Sequence, residues 1–162
     1  MSGQLVVGIS DYKYARNPEV IVTYALGSCV GICLYDKQLK VGGLSHIMLP
    51  ESSMFSKNET NRMKFADTAI VDLVQDLMKL GVDRRRLTAK IAGGAQMFEV
   101  QAGSLVGTIG DRNIASVKNT LNSLKIPIIA EDTGLNYGRT VYFDLDTGIM
   151  KVQSLSRSIK EF

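Results

Sequence analysis

Two apolar runs, "VGICLY" at Val30–Tyr35 and "VGGLSHIML" at Val41–Leu49, flank the short polar stretch "DKQL", Asp36–Leu39. So short a connection folds its two arms back on each other as an antiparallel hairpin. The pattern recurs near the end of the chain, where "TVYFDLDTGIMKVQSL" breaks at Asp146-Thr147-Gly148 and reads as a second hairpin. "VIVTYAL" (Val20–Leu26) is a buried strand running into a Gly27-Ser28 turn. "LTAKIAGGAQMF" is a strand entering a Gly93-Gly94 turn, and "IPIIAED" (Ile126–Asp132) is a further strand. Helical spacing occurs twice. From Arg62 to Leu80 the apolar positions Ala66, Ala69, Ile70, Leu73, Val74 and Leu77 share one face, with Gly81 as the stop. A second helix is capped by Asp111 and carries Ile114, Val117, Leu121 and Leu124. The polar, breaker-rich stretch Glu51–Asn61 is expected to be a mobile loop. Strands outnumber helices and several adjoin as hairpins, so the expected fold is an α/β or α+β layered domain with a mixed sheet, not a doubly wound parallel one.

A chain of 162 residues with 45% hydrophobic and 22% charged residues can bury a full core, and residues 1–162 are expected to form one domain. A net charge of +3 is too small to imply a nucleic-acid surface. The basic "DRRR" at Asp83–Arg86 reads as a solvated turn after a helix. The opening "MSGQLVVGIS" lacks the charged and apolar regions of an export signal, and no segment has the ~18 uninterrupted apolar residues of a membrane span. Cys29 and Cys33 are the only cysteines. A strand holds positions i and i+4 about 13 Å apart, beyond the ~7 Å that a disulfide tolerates. Free thiols and a cytoplasmic setting are the expectation.

The only histidine, His46, lies on the second arm of the first hairpin, and Cys29 precedes its first arm. If Tyr35 pairs with Lys40, Cys29 falls directly opposite His46, on the same face. The same register places Gly31 beside Cys29 and Gly42 opposite Cys33, which leaves room for a substrate. Gly27 and Ser28 are placed to turn backbone N–H groups toward an oxyanion. Thr23, one strand earlier, can orient the second imidazole nitrogen. Spacing alone leaves two readings open: a nucleophile with its general base, or a buried thiol and a satisfied core histidine. Cys33, between Ile32 and Leu34, reads as core. One His and two Cys form no tetrahedral metal motif, so no metal is expected. "GGAQMF" lacks the Lys-Ser/Thr of a phosphate-binding loop and reads as a turn, with Met97 and Phe98 as core residues.

The blocks "GSCVGICLYD", "GLSHIMLP", "AKIAGGAQMF", "IGDRN" and "AEDTGLNYGR" occur in this order and resemble the CheD family of chemoreceptor glutamine deamidases over nearly the whole chain. The resemblance implies a layered α/β sandwich similar to the catalytic domain of the cytotoxic necrotizing factor toxins. It implies Cys29 as nucleophile, His46 as general base and acid, and Thr23 as third member of the triad. The implied reaction is hydrolysis of glutamine side chains on the cytoplasmic helices of chemotaxis receptors, with no cofactor, and the implied partner is the phosphatase CheC. Arg112, Asn113, Asp132 and Arg139 lie in family blocks, where capping and loop ordering compete with substrate contact as their role. Two positions depart from the family pattern: Ser45 stands where alanine is usual before the histidine, and Leu135 where a second glycine is usual. Ser45 is expected on the face opposite His46, and Leu135 in a loop shaping the substrate or partner surface. A thiol–imidazole pair also suits a protease, transglutaminase or acyltransferase, and an adaptor that binds CheC without chemistry is the rival outside the enzymes.

Overall fold

The computed structural model describes residues 3–54, 60–97, 108–154, 156 and 158–162. The β-branched and aromatic runs become strands β1 (Gln4–Val7), β2 (Asp11–Arg16), β3 (Val20–Leu26), β4 (Val30–Asp36), β5 (Val41–Ile47), β6 (Thr88–Gly93), β7 (Ile128–Thr133), β8 (Arg139–Asp144), β9 (Met150–Ser154) and β10 (Ile159–Glu161). The periodic segments become helices α1 (Ala66–Lys79) and α2 (Ile109–Ser123). The strands form two five-stranded sheets, ordered β1-β3-β8-β9-β10 and β2-β5-β4-β6-β7. Each sheet contains a parallel pair, β1 with β3 and β6 with β7, among antiparallel neighbours. The architecture is the layered α/β sandwich with mixed sheets that was expected.

Side-chain alternation along β4 and β5 explains the layering, because a strand buried on both faces must supply both cores. Val30, Ile32, Leu34, Val41 and Ile47 pack with the buried faces of α1 and α2. Cys33, Tyr35 and Leu44 face the other sheet, meeting Ile21, Val141, Phe143 and Val152. By the same alternation, Ser45 points toward the helices and His46 into the space between the sheets. The six apolar positions predicted for α1 are all buried, and Gly81 ends the helix at φ +97°. Among the described residues, no helix is long and apolar enough to cross a membrane.

Three expectations need correction. The hairpin register is offset by two residues: Tyr35 lies opposite Gly42, Cys33 opposite Leu44, and Gly31, rather than Cys29, opposite His46. The cause is Asp36, which stays in the ladder opposite Val41. Its Oδ1 accepts the N–H groups of Gln38 and Leu39 at 3.0 and 3.3 Å, and Arg86 Nη2 binds its Oδ2 at 2.8 Å. The reversal is thereby pushed onto residues 37–40, with Lys40 at φ 54°. Thr108, not Asp111, caps α2, its hydroxyl accepting the Asp111 N–H at 3.1 Å. Met97 is not a core residue: it is 43% exposed and lies over Gly27, whose hypothetical Cβ would sit 3.1 Å from Met97 Cγ. In the loop expected at Glu51–Asn61, Ser52–Met54 forms a short 3-10 turn and Asn61 caps another at Arg62–Lys64. Residues 55–59 and Phe98 lie outside the described residues.

Candidate active site

Thr23 on β3 and His46 on β5 belong to different sheets, and their side chains meet in the space between them. Thr23 Oγ1 lies 2.7 Å from His46 Nδ1 and donates to the Val7 carbonyl at 2.8 Å. These two distances assign the imidazole tautomer. A hydroxyl has one proton, and a carbonyl can only accept, so the Thr23 proton goes to Val7. Toward Nδ1 the hydroxyl can then only accept, and Nδ1 must carry the ring proton. Nε2 is left with its lone pair, fully buried and without a hydrogen-bond partner among the described residues. A buried acceptor without a donor is costly, which suits a nitrogen reserved for a proton that arrives during a reaction.

Gly31 faces His46 across the β4–β5 ladder, and a Cβ there would crowd Leu26 Cδ1 at 3.2 Å, with Thr23 Cγ2 at 3.8 Å. Cys29 lies two residues beyond Gly31, just outside β4. The last pair of the ladder is Val30 with Ile47, so the side of the sheet on which Cys29 lies is set by its packing and not by a register pair. Cys29 is partly buried against the cluster between the sheets, the space into which the His46 side chain also points. The two-residue offset preserves the parity on which the juxtaposition depends, whereas an offset of one would have placed the groups on opposite faces. Among the described residues, the thiol makes no hydrogen bond to Nε2 in this state.

The loop Gly27-Ser28-Cys29 is pinned from within through its carbonyls. Gly27 O accepts the Ala95 N–H at 2.9 Å and Cys29 O the Gly94 N–H at 2.8 Å, while Ser28 O accepts from Asn113 Nδ2 at 2.9 Å. The positive φ angles of Gly93 (+109°) and Gly94 (+69°) let that turn approach so closely; a Cβ on Gly93 would collide with the Cys29 carbonyl oxygen.

Burial raises the Cys29 thiol pKa above its ordinary value, opposed by its own backbone N–H. Burial also lowers the His46 pKa from 6.5 to about 4, with nearby Asp11 opposing. The resting pair at pH 7 is therefore neutral thiol and neutral imidazole, not a preformed ion pair: the Nε2 lone pair is free, and burial has lowered its basicity. The shift also affects stability. Between pH 6.5 and about 4 the unfolded chain protonates its histidine and the native state does not, so acid favours unfolding. Denaturant titrations at pH 7 and pH 4.5 are expected to show a loss of about 2–3 kcal/mol from this residue. In His46→Gln the slope over that window is expected to be shallower; an equal slope in both proteins would contradict the burial argument.

Of the remaining family-block residues, Asn113, Asp132 and Arg139 contact the loops around the site. Arg139 is buried, with Nε 3.3 Å from Asp132 Oδ2 and Nη1 donating to Gly134 O at 3.0 Å, and it lies opposite Leu26 at the entry to the cysteine loop. Leu135 is 64% exposed at φ 60°, following Gly134 at φ +78°. A second glycine would suit that left-handed position, and leucine there costs roughly 1–2 kcal/mol. Its carbonyl accepts the Gln96 N–H at 2.8 Å, which ties this turn to the segment bearing Met97. Ser45 is fully buried on the helix side, away from the imidazole. Among the described residues, no three His, Cys, Asp or Glu side chains are grouped as for a metal ion. Sequence reasoning did not foresee Val7, whose contribution is a main-chain carbonyl that no residue type announces.

Comparison with known proteins adds an independent line. The family model described as CheD chemotactic sensory transduction matches residues 48–154, a span that begins just after His46. Relatives extend across the whole site. A Clostridium kluyveri protein is 50% identical over 158 residues, covering 98% of this chain and 97% of its own. A Moorella thermoacetica protein is 51% identical, covering 97% and 94%. Both bear the description "Probable chemoreceptor glutamine deamidase CheD". Among solved structures, the Bacillus licheniformis hypothetical protein YfiH superposes with a TM-score of 0.50 at 14% identity, covering 78% of this chain and 51% of that one. That likeness concerns the layered fold alone.

Proposed function

The chain belongs to the CheD family of chemotactic sensory transduction proteins, and from that premise we propose that residues 1–162 act as one domain hydrolysing glutamine side chains of chemoreceptors to glutamate and ammonia. The observation that carries the chemistry is the position of Thr23 Oγ1 between Val7 O and His46 Nδ1, from which we infer that Nε2 of His46 is the free base on the side of the sheet that Cys29 packs against.

In this reading Nε2 accepts the thiol proton as Sγ attacks the amide carbon. The oxyanion forms against the N–H groups of Ser28 and Cys29, whose loop carbonyls are held on the opposite side. The imidazolium delivers its proton to the amide nitrogen, the C–N bond breaks and ammonia leaves. Nε2 then takes a proton from water, the hydroxide adds to the thioester carbon, and collapse releases the glutamate carboxyl and returns the proton to Sγ. A neutral resting pair suits a proton transfer made during attack, because no thiolate waits exposed to oxidation or alkylation. The chain's own residues supply each step. The substrate would be the cytoplasmic helices of the receptors, the setting the cytoplasm, and CheC a regulatory partner.

The test is peptide mass spectrometry of a receptor cytoplasmic fragment incubated with wild type and with Cys29→Ala. The roughly 1 Da gain of glutamine-to-glutamate conversion is expected with wild type only. No conversion by either protein, across several receptors of the same organism, would leave the adaptor role as the better account.

A further inference from the structure

The β4–β5 ladder stops at Val30 and Ile47. Beyond that pair the carbonyls of Ser28 and Met48 are both taken by one side chain: Asn113 Nδ2 donates to Ser28 O at 2.9 Å and to Met48 O at 3.0 Å. A carboxamide NH2 carries two protons, and both are used here. Asn113 is fully buried. Its place close to the cysteine loop depends on Gly110, one turn earlier on α2, where a Cβ would sit 2.6 Å from the Ala95 carbonyl oxygen. The amide thereby joins the residue before Cys29 to the second residue after His46, at the point where the strands no longer hold each other.

Peptide planarity gives this bond its chemical meaning. The Ser28 carbonyl and the Cys29 N–H belong to one peptide unit, and in a trans peptide they point in opposite directions. With the carbonyl drawn inward to Asn113, the Cys29 N–H turns outward. The Cys29 backbone N–H also opposes the effect of burial on the thiol of its own residue. The flanking carbonyls of Gly27 and Cys29 are held inward in the same way by Ala95 and Gly94, but those clamps are backbone. Asn113 is the side-chain member of the set.

We propose that Asn113 is a positioning residue for the hydrolysis: its amide orients the Ser28–Cys29 peptide so that the Cys29 N–H receives the oxyanion, and it fixes the nucleophile's loop against the strand of His46. The assignment rests on the deamidase reading. It separates two reactions of the same thiol. Attack on an amide builds an oxyanion; displacement of iodide from iodoacetamide joins Sγ to carbon and releases iodide and the thiol proton without forming one.

Asn113→Ala is therefore expected to lower kcat for deamidation of a receptor fragment by about 30- to 300-fold, with KM within about threefold of wild type. The iodoacetamide alkylation rate of Cys29 is expected to stay within about threefold, because that reaction has no use for an oxyanion donor. Asn113→Leu keeps the branched shape of the side chain and removes the donors without burying a charge, so it should reproduce the kcat loss if the alanine variant fails to fold; circular dichroism and thermal melting establish the folded fraction. Deamidation within threefold of wild type in a folded variant would overturn the role. So would a parallel fall of alkylation and deamidation, which would mark general collapse of the site. A wild type that leaves every receptor fragment unchanged would instead remove the deamidase reading and this role with it.

Discussion

Cys29→Ala and His46→Ala are each expected to lower the receptor-deamidation rate by at least ~10⁴-fold, and the double variant by no more than either alone. The magnitude follows from the resting state of the pair. With the thiol pushed up by burial and the imidazole held near 4, almost no thiolate exists at pH 7, so attack requires Nε2 to take the proton. Removing the base strands the thiol, and removing the thiol leaves the base with nothing to deprotonate; the two losses are one loss. The measurement is single-turnover conversion followed by mass spectrometry, with wild type and the three variants at equal folded concentration. Multiplying losses in the double variant would show two independent contributions and refute a coupled pair. Substantial turnover by Cys29→Ala would exclude the thioester route.

Thr23→Val carries the second large effect. Valine matches threonine in shape, but the change removes the hydroxyl that accepts from His46 Nδ1 and donates to Val7 O. Two buried polar groups lose a partner, a destabilisation of about 2–4 kcal/mol at roughly 1–2 kcal/mol each. Catalysis should suffer more. Without an acceptor at Nδ1, the ring is free to carry its proton on Nε2, the tautomer unable to accept from the thiol, and kcat is expected to fall about 10²- to 10⁴-fold. Thr23→Ser, which restores the hydroxyl, should recover activity to within about tenfold of wild type. Because the chain has a single histidine, imidazole ¹⁵N NMR reads the tautomer without assignment: the Nδ1–H form is expected in wild type and a shift toward Nε2–H in Thr23→Val. An Nε2–H wild type would reverse the proposed proton path, and a fully active Thr23→Val would remove Thr23 from it.

Part of this site was legible because some constraints are local. The hairpin of β4 and β5 follows from two apolar runs and a short connection. Period two then puts Cys29, Gly31, Cys33 and, across the ladder, His46 on one face for any even register offset. The motif blocks carried the family resemblance, which the comparisons bear out over nearly the whole chain. Helix α1 was legible for a similar reason, since its six core positions repeat at the helical period and a glycine follows.

What escaped the sequence depends on partners far apart in it. The register was decided by Asp36, drawn into the ladder by Arg86, 50 residues away; turn propensity alone does not weigh such a pair. The cap of α2 moved to Thr108 because its extended backbone presents the hydroxyl to the Asp111 N–H. Asn113 was one polar residue in a motif block until α2 packed against the glycine turn and set its amide between two carbonyls.

The sequence by itself determined which groups share a face, because side-chain alternation is a local property of the backbone. Only the tertiary structure decided which groups meet. Thr23 reaches His46 because two sheets with no ladder between them stack over a common core, and the imidazole tautomer follows from a proton directed to a carbonyl on yet another strand. Stacking distance and proton direction arise from packing the whole chain at once, and no local pattern encodes them.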